Sequence, residues 1–328
     1  MMKAYFLETK FLSDVTINIY KKAFASHGID IVFQYWETPE EVMEGAADAD
    51  CVFSMAIPMS RKVIESLPNL KFIGRCGIGY DSVDLDAATE HSVVVCNVPD
   101  YCMHEVASQA MTLTLALKRQ LRAFTRWARE GHFGPNYAYP VYRLQGQTMG
   151  IMGYGRIGRT LAGMALGMGM RVIAYDPFVK DSGNPGVTMV GEEEILKTSD
   201  VLSLHMPLLE TTQHMISLEQ FKMMKPTAYI INTSRGPLIK TDDLVTALKE
   251  GLIAGAGLDV NDPEPLPVDH ELFQLENAII TPHVSLYSEE ALVDMHTKLT
   301  VQSTDVLEGR WTKNIVNPAV LEKLDLKK

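Results

Sequence analysis

Thr148-Met149-Gly150-Ile151-Met152-Gly153-Tyr154-Gly155-Arg156-Ile157-Gly158 is the stretch that decides the fold. Its first five residues form a short apolar run that reads as a strand, and Gly153 to Gly158 spell G-x-G-x-x-G. Ile157, Leu161, Met164 and Met168 follow at the spacing of one buried helical face. The three glycines answer physical needs in such a strand–turn–helix. Gly153 permits the tight turn, Gly155 lets backbone approach a diphosphate, and Gly158 lets the helix pack closely on the strand. The unpaired N–H groups and positive end of the helix then hold the anion. Such a hexapeptide alone is a weak signal, and the strand before it and the helix after it supply the weight.

The next strand ends at Tyr175-Asp176-Pro177, about twenty residues beyond the first glycine, where an acid accepts the hydroxyls of an adenosine ribose. A carboxylate there repels a 2′-phosphate, so NAD is expected over NADP. The alternative is a plain turn with Asp176 capping a loop. Outward from the turn, short apolar runs alternate with helical stretches. Downstream strands are expected at Arg171–Tyr175, Val201–Leu204, Tyr229–Asn232, Gly255–Asp259 and Ala278–Thr281. Upstream strands are expected at Ala4–Leu7, Ile31–Phe33, Cys51–Phe53, Lys71–Ile73 and Val93–Cys96, with helices at Val15–Ser26 and Arg61–Leu67 among them. This alternation predicts α/β architecture with parallel sheets covered by helices. After Asn97-Val98-Pro99 the texture changes to Met103–Arg129, read as one long helix or two joined ones, and then a loop at Gly131–Pro140. A last helix over Ser288–Gly309 puts Leu292, Met295, Leu299 and Val306 on one face.

Composition excludes several classes. In 328 residues, 46% hydrophobic and 22% charged describe a chain with a sizeable core, and the length suggests two domains. The 41 acids against 30 bases give a net charge of −11, and no Lys/Arg run is long enough to track nucleic-acid phosphates. The apolar runs are too short to span a bilayer, and Met1 to Lys10 lacks a leader pattern. The four cysteines, Cys51, Cys76, Cys96 and Cys102, form no C-x-x-C pair, which favours a reducing cytoplasm over a disulfide framework. No H-E-x-x-H or zinc-ligand spacing occurs, so no metal is expected.

Three charged residues stand near strand ends in the second half. Arg235 follows Asn232-Thr233-Ser234, Glu264 sits between Pro263 and Pro265, and His283 follows Thr281-Pro282. Ligands of open α/β sheets bind outside the carboxyl ends of the strands, so all three are expected at one crevice. Reduction of a keto acid needs a cation to hold the carboxylate and polarise the carbonyl, which a planar guanidinium does with paired hydrogen bonds. It also needs a proton donor to the developing alkoxide, a task suited to His. A carboxylate beside a histidine favours imidazolium and orients the ring. The alternatives are a surface ion pair for Arg235, a solvated loop residue for Glu264 and a satisfied strand-end histidine for His283.

These segments resemble the D-isomer-specific 2-hydroxyacid dehydrogenase family from about Cys51 to Asn317. The likeness is carried by Gly77-Ile78-Gly79-Tyr80-Asp81 with Val83-Asp84, Asn97-Val98-Pro99, Leu144-Gln145-Gly146 and the glycine turn. Further on it includes His205-Met206-Pro207 with Thr212, Asn232-Thr233-Ser234-Arg235-Gly236, Leu258-Asp259-Val260 with Glu264-Pro265, and Thr281-Pro282-His283. The resemblance implies two doubly wound parallel-sheet domains, a Rossmann-type NAD domain over 100–286 inserted in a flavodoxin-like substrate domain over 1–99 and 287–328. It implies Arg235 as substrate anchor, His283 as acid/base and Glu264 as its partner. It places Asp259 and the Thr233–Ser234 backbone near the nicotinamide, and His205, Pro207 and Thr212 near the cofactor's ribose. With Gly153, Tyr154, Gly155, Arg156, Ile157, Gly158 and Asp176, these form the implied NAD site. Arg75 and the amides of Ile78 and Gly79 are implied to meet the substrate, and a homodimer is implied through Met103–Phe133.

Within the family, Arg75, Thr281-Pro282-His283 and Tyr287-Ser288-Glu289 resemble the C-terminal-binding-protein subgroup, although Leu286 stands where that subgroup carries Trp. In phosphoglycerate dehydrogenases, the other obvious relatives, the substrate loop usually offers Arg to the phosphate. The matching stretch here reads Ser54-Met55-Ala56-Ile57. No C-terminal regulatory domain is expected beyond Lys328. The expected activity is NAD-dependent interconversion of a small, unphosphorylated D-2-hydroxy acid and its 2-keto acid. Phosphoglycerate dehydrogenase or hydroxypyruvate/glyoxylate reductase activity is the near alternative, and an NAD(H)-sensing, corepressor-like binding protein the distant one.

Overall fold

The computed structural model describes residues 1–327, apart from the Phe11 side chain. The chain divides into two compact units, Met1–Cys102 with Ser288–Lys328, and Met103–Tyr287. The first holds β1 (Lys3–Phe6), β2 (Asp30–Phe33), β3 (Cys51–Ser54), β4 (Phe72–Arg75) and β5 (Val94–Cys96). They pair in the order β2-β1-β3-β4-β5, every neighbour parallel. Parallel pairing demands crossovers, and helices supply them. Those at Asp14–Ala25, Pro39–Gly45 and Leu85–Glu90 start where Ser13, Thr38 and Asp84 accept backbone N–H groups of the first turn.

Successive strand residues face opposite ways, and both faces of this sheet are buried. Tyr5, Leu7, Val52, Ile73 and Val95 enter one core. Phe6 and Phe53 turn to the other, where Tyr20 packs edge-on against both. The helix Glu289–Leu307, capped by Ser288, brings Met295, His296 and Leu299 to the first unit's interior. Asn317 ties the chain beyond it to β5, accepting from Val95 N at 2.9 Å and donating to Val93 O at 2.9 Å.

The second unit is built on β6 (Thr148–Met152), β7 (Arg171–Tyr175), β8 (Val187–Met189), β9 (Val201–Leu204), β10 (Tyr229–Asn232), β11 (Gly255–Leu258) and β12 (Ala278–Ile280). The order is β12-β11-β10-β9-β6-β7-β8, again wholly parallel. Direction of winding reverses between β6 and β9, the switch point at which doubly wound sheets bind ligands. Both sheets are therefore parallel and helix-covered, as the alternating pattern predicts.

One strand departs from the sequence reading. The strand β8 is not foreseen, because a three-residue edge strand with Thr188 exposed shows no periodicity. Of the two readings of Met103–Arg129, the structure has the two joined helices, Met103–Lys118 and Leu121–Arg129, separated where Gln120 adopts a left-handed conformation with φ of 53°. Among the described residues, no helix is long and apolar enough to cross a membrane.

Candidate active site

The glycine turn leaves β6 at the switch point. A Cβ on Gly153 would lie 2.6 Å from the carbonyl carbon and oxygen of His205, and one on Gly158 would lie 2.3 Å from Gly153 O. Close approach of backbone to backbone thus requires glycine at both places. Around Gly155 nothing lies within 4 Å of the Cβ position, so the turn has open space at the start of helix Arg156–Gly167. Tyr154 offers only its backbone, since its side chain is buried beneath Arg159. Arg156 is exposed and Ile157 half-buried on the first turn.

Asp176 follows β7 and braces the turn. Its carboxylate accepts from Tyr154 N and Phe178 N, each at 2.9 Å. His205 follows β9, directly across the switch point. Its Nε2 lies 2.8 Å from Ser203 Oγ, and burial pushes its imidazole down to about 4, so the ring is neutral at pH 7. Pro207 and Thr212 bound the next loop, where the Thr212 hydroxyl donates to Pro207 O at 2.7 Å. His205 Nδ1, Thr233 Oγ1 and Asn261 Oδ1 are buried without a hydrogen-bond partner. A water or a polar ligand would complete the hydrogen bonding of such atoms, which occur elsewhere in the chain as well, as at His296 Nε2. The open glycine turn, the acid at the β7 end and these atoms fit a dinucleotide.

The remaining charged residues leave three adjacent strands at one end. Asn232, Leu258 and Ile280 stand side by side in register at the carboxyl ends of β10, β11 and β12. Arg235, Glu264 and His283 lie a few residues beyond them. Asn232 shapes the first loop, its amide accepting from Ser234 N at 3.0 Å and donating to Arg235 O at 2.8 Å. A Cβ on Gly236 would sit 1.8 Å from Asn261 O, so the Arg235 turn rests directly on the loop that leads to Glu264.

His283 has φ of 54°, a left-handed conformation uncommon for a residue bearing a Cβ, held by the surrounding loop. Its Nδ1 lies 2.5 Å from Glu264 Oε1, with both side chains partly exposed. Asp259, 1% exposed, supports this loop. Its main-chain oxygen accepts from His283 N at 2.9 Å, and its carboxylate accepts from Thr281 Oγ1, Val284 N and Ser285 N at 2.5, 3.0 and 2.8 Å. Sequence reading places Asp259 beside the nicotinamide and misses this brace. Nor does it give a role to Asn232 or Ser203, although a polar residue closing one apolar strand and another inside the next were the available signals.

In the first unit, Arg75 ends β4 and donates to Cys76 O at 2.6 Å. The turn after it is closed by Val98 N on Gly77 O and by Asn97 Nδ2 on Ile78 O, at 3.0 and 2.6 Å. Gly79 lies half-buried in the same turn. Among the described residues, no group of three or more His, Cys, Asp or Glu side chains is arranged to hold a metal.

A doubly wound parallel sheet with an open glycine turn at its switch point, and an acid at the end of the next strand, defines a dinucleotide-binding domain. The chain belongs to the D-isomer-specific 2-hydroxyacid dehydrogenase family, whose NAD binding domain matches residues 111–285. A glyoxylate reductase of Korarchaeum cryptofilum is 37% identical over 288 residues, covering 86% of each chain. A hydroxypyruvate reductase of Blautia hydrogenotrophica is 39% identical over 258 residues, 77% of this chain and 80% of that one. Among solved structures, the TT0316 protein of Thermus thermophilus superposes with a TM-score of 0.89 at 32% identity, over 96% of this chain and 100% of that one. The D-lactate dehydrogenase of Aquifex aeolicus, solved with NAD and lactic acid, gives 0.85 at 25% identity and 98% of each chain.

Proposed function

We propose that the chain reduces a small, unphosphorylated 2-keto acid to the D-2-hydroxy acid with NADH, and catalyses the reverse reaction with NAD. One observation carries this reading: the Glu264 carboxylate takes Nδ1 of His283 at 2.5 Å, which leaves Nε2 as the only ring nitrogen for a substrate. Bound NADH supplies the hydride to the carbonyl carbon. His283 gives its Nε2 proton to the carbonyl oxygen as negative charge develops there, and Glu264 stabilises the charged ring before transfer. Arg235 holds the substrate's carboxylate and polarises its carbonyl. In the reverse direction neutral His283 takes the hydroxyl proton.

In the same reading, residues 153–158 hold the diphosphate and Asp176 takes the adenosine ribose. His205 offers Nδ1 to the second ribose, within the wall formed by Pro207 and Thr212. Thr233, Ser234 and Asp259 border the nicotinamide. The first unit is the substrate domain, in which Arg75 and the amides of Ile78 and Gly79 receive the substrate carboxylate. The Met103–Phe133 segment forms a homodimer contact. Relatives named for glyoxylate and hydroxypyruvate support the choice of a small substrate. The test follows NADH absorbance with glyoxylate, hydroxypyruvate, pyruvate and 3-phosphohydroxypyruvate. Turnover of the unphosphorylated acids is expected. Tight NADH binding with no turnover on any acid would instead end this reading and favour a cofactor-sensing protein.

A further inference from the structure

The first unit has a switch point of its own. In a sheet ordered β2-β1-β3-β4-β5, ligands bind outside the carboxyl ends of β1 and β3. Glu8 lies just past the end of β1 and is 2% exposed. Its carboxylate accepts from Met55 N, Ala56 N and Ile57 N, the loop that leaves β3, at 2.6, 2.5 and 2.6 Å. Ser54 Oγ closes the loop by donating to Ile57 O at 2.7 Å. Three successive backbone N–H groups aimed at one point make a nest for an anion.

We infer that Glu8 is a resident anion. It fills the nest at the first unit's switch point, fixes the Ser54–Ile57 loop and keeps that crevice closed to a substrate's second negative group. This deepens the proposed reaction and rests on it for the identity of the excluded substrates. A phosphate or second carboxylate reaching the loop would find the amides already used and a negative charge in place. The loop therefore favours substrates whose far end is uncharged. Glu8 is a positioning and specificity-determining residue, remote in sequence from the proposed proton donor.

The test uses the full chain with Glu8→Ala and Glu8→Gln. Formate and inorganic phosphate, compared with potassium chloride at equal ionic strength, should raise the Tm of Glu8→Ala by more than they raise that of the wild type, whose glycine turn and Arg235 are shared by both proteins. Refilling of an emptied nest produces that difference, and the readout needs no turnover. With hydroxypyruvate, Glu8→Ala should show a KM raised ~10-fold with kcat little changed, and formate should restore KM. Its preference for 3-phosphohydroxypyruvate over hydroxypyruvate should climb ~10-fold, the scale of a lost set of charge-assisted hydrogen bonds. A variant matching the wild type in anion response, KM and preference overturns the inference even when catalysis is intact. A wild type inactive on every keto acid overturns the proposed reaction, while formate and phosphate still decide whether Glu8 fills the nest. If Glu8→Ala does not fold, Glu8→Gln carries the decision: it lacks the charge, and an unchanged KM and preference overturn the inference.

Discussion

Nδ1 of His283 and Oε1 of Glu264 lie 2.5 Å apart, at the ends of loops that leave two neighbouring strands. The contact fixes which ring nitrogen is left for chemistry. Replacing His283 by Ala should lower kcat by ~10²–10⁴-fold, the usual worth of a positioned proton donor. NADH affinity, read by fluorescence titration, should hardly change, because only the transition state needs the proton. Glu264→Gln should keep the ring in place and lower kcat less. Wild-type turnover in His283→Ala would remove the imidazole from the mechanism.

Asp259→Asn tests the brace beneath His283. The aspartate oxygens accept from two backbone N–H groups and a hydroxyl, so an amide NH₂ in either orientation faces a donor. We expect a loss of ~2–4 kcal/mol by urea unfolding and a fall in kcat together. A stable variant with low kcat would show that Asp259 acts on the cofactor and leaves the loop alone.

Asp176→Ser tests cofactor choice. Removing the carboxylate removes repulsion of a 2′-phosphate, so the NADP-to-NAD ratio of kcat/KM should rise ~10-fold, or ~1.4 kcal/mol. Absolute NAD affinity should also fall, since Asp176 holds Tyr154 N in the turn. An unchanged ratio would assign the selection elsewhere.

His296 gives the first unit an acid-sensitive point. It is fully buried with Nδ1 3.0 Å from the Tyr20 hydroxyl, and burial pushes it from 6.5 down to about 4. Between those values the unfolded chain binds the proton and the folded one does not. Stability is therefore complete above about pH 6.5 and drains away as pH falls toward 4, by up to ~3 kcal/mol. His205 in the second unit is lowered in the same direction and adds to the same window. His296→Gln, which can still accept from Tyr20, should show a flatter fall in urea midpoint between about pH 7 and about pH 4.5. An equally steep fall would clear His296 of the effect.

The glycine turn was legible because its neighbours are periodic: an apolar strand before it and a helical face after it. Arg235, Glu264 and His283 stood out because charged residues close apolar strands. A break in Met103–Arg129 was one of two readings, but its position at Gln120 was hidden, since nothing in Lys118–Leu121 forbids a helix to continue. Glu8 was hidden for a different reason. Its partners are main-chain amides 47 to 49 residues away, and backbone donors leave no trace in side-chain identity. Asp259 shows the same limit, because one carboxylate serves equally to hold a loop or to meet a ligand.

The first unit is closed by a helix that the ribosome delivers late. Its sheet is complete by Cys96, yet the segment Glu289–Leu307 that buries His296 against Tyr20 emerges only after all of Met103–Tyr287 has been made. At ordinary elongation rates that delay is ~10–40 s. During synthesis the faces of Phe6 and Tyr20 that meet His296 must wait uncovered, so the amino-terminal sheet cannot complete its packing until the rest of the chain has followed.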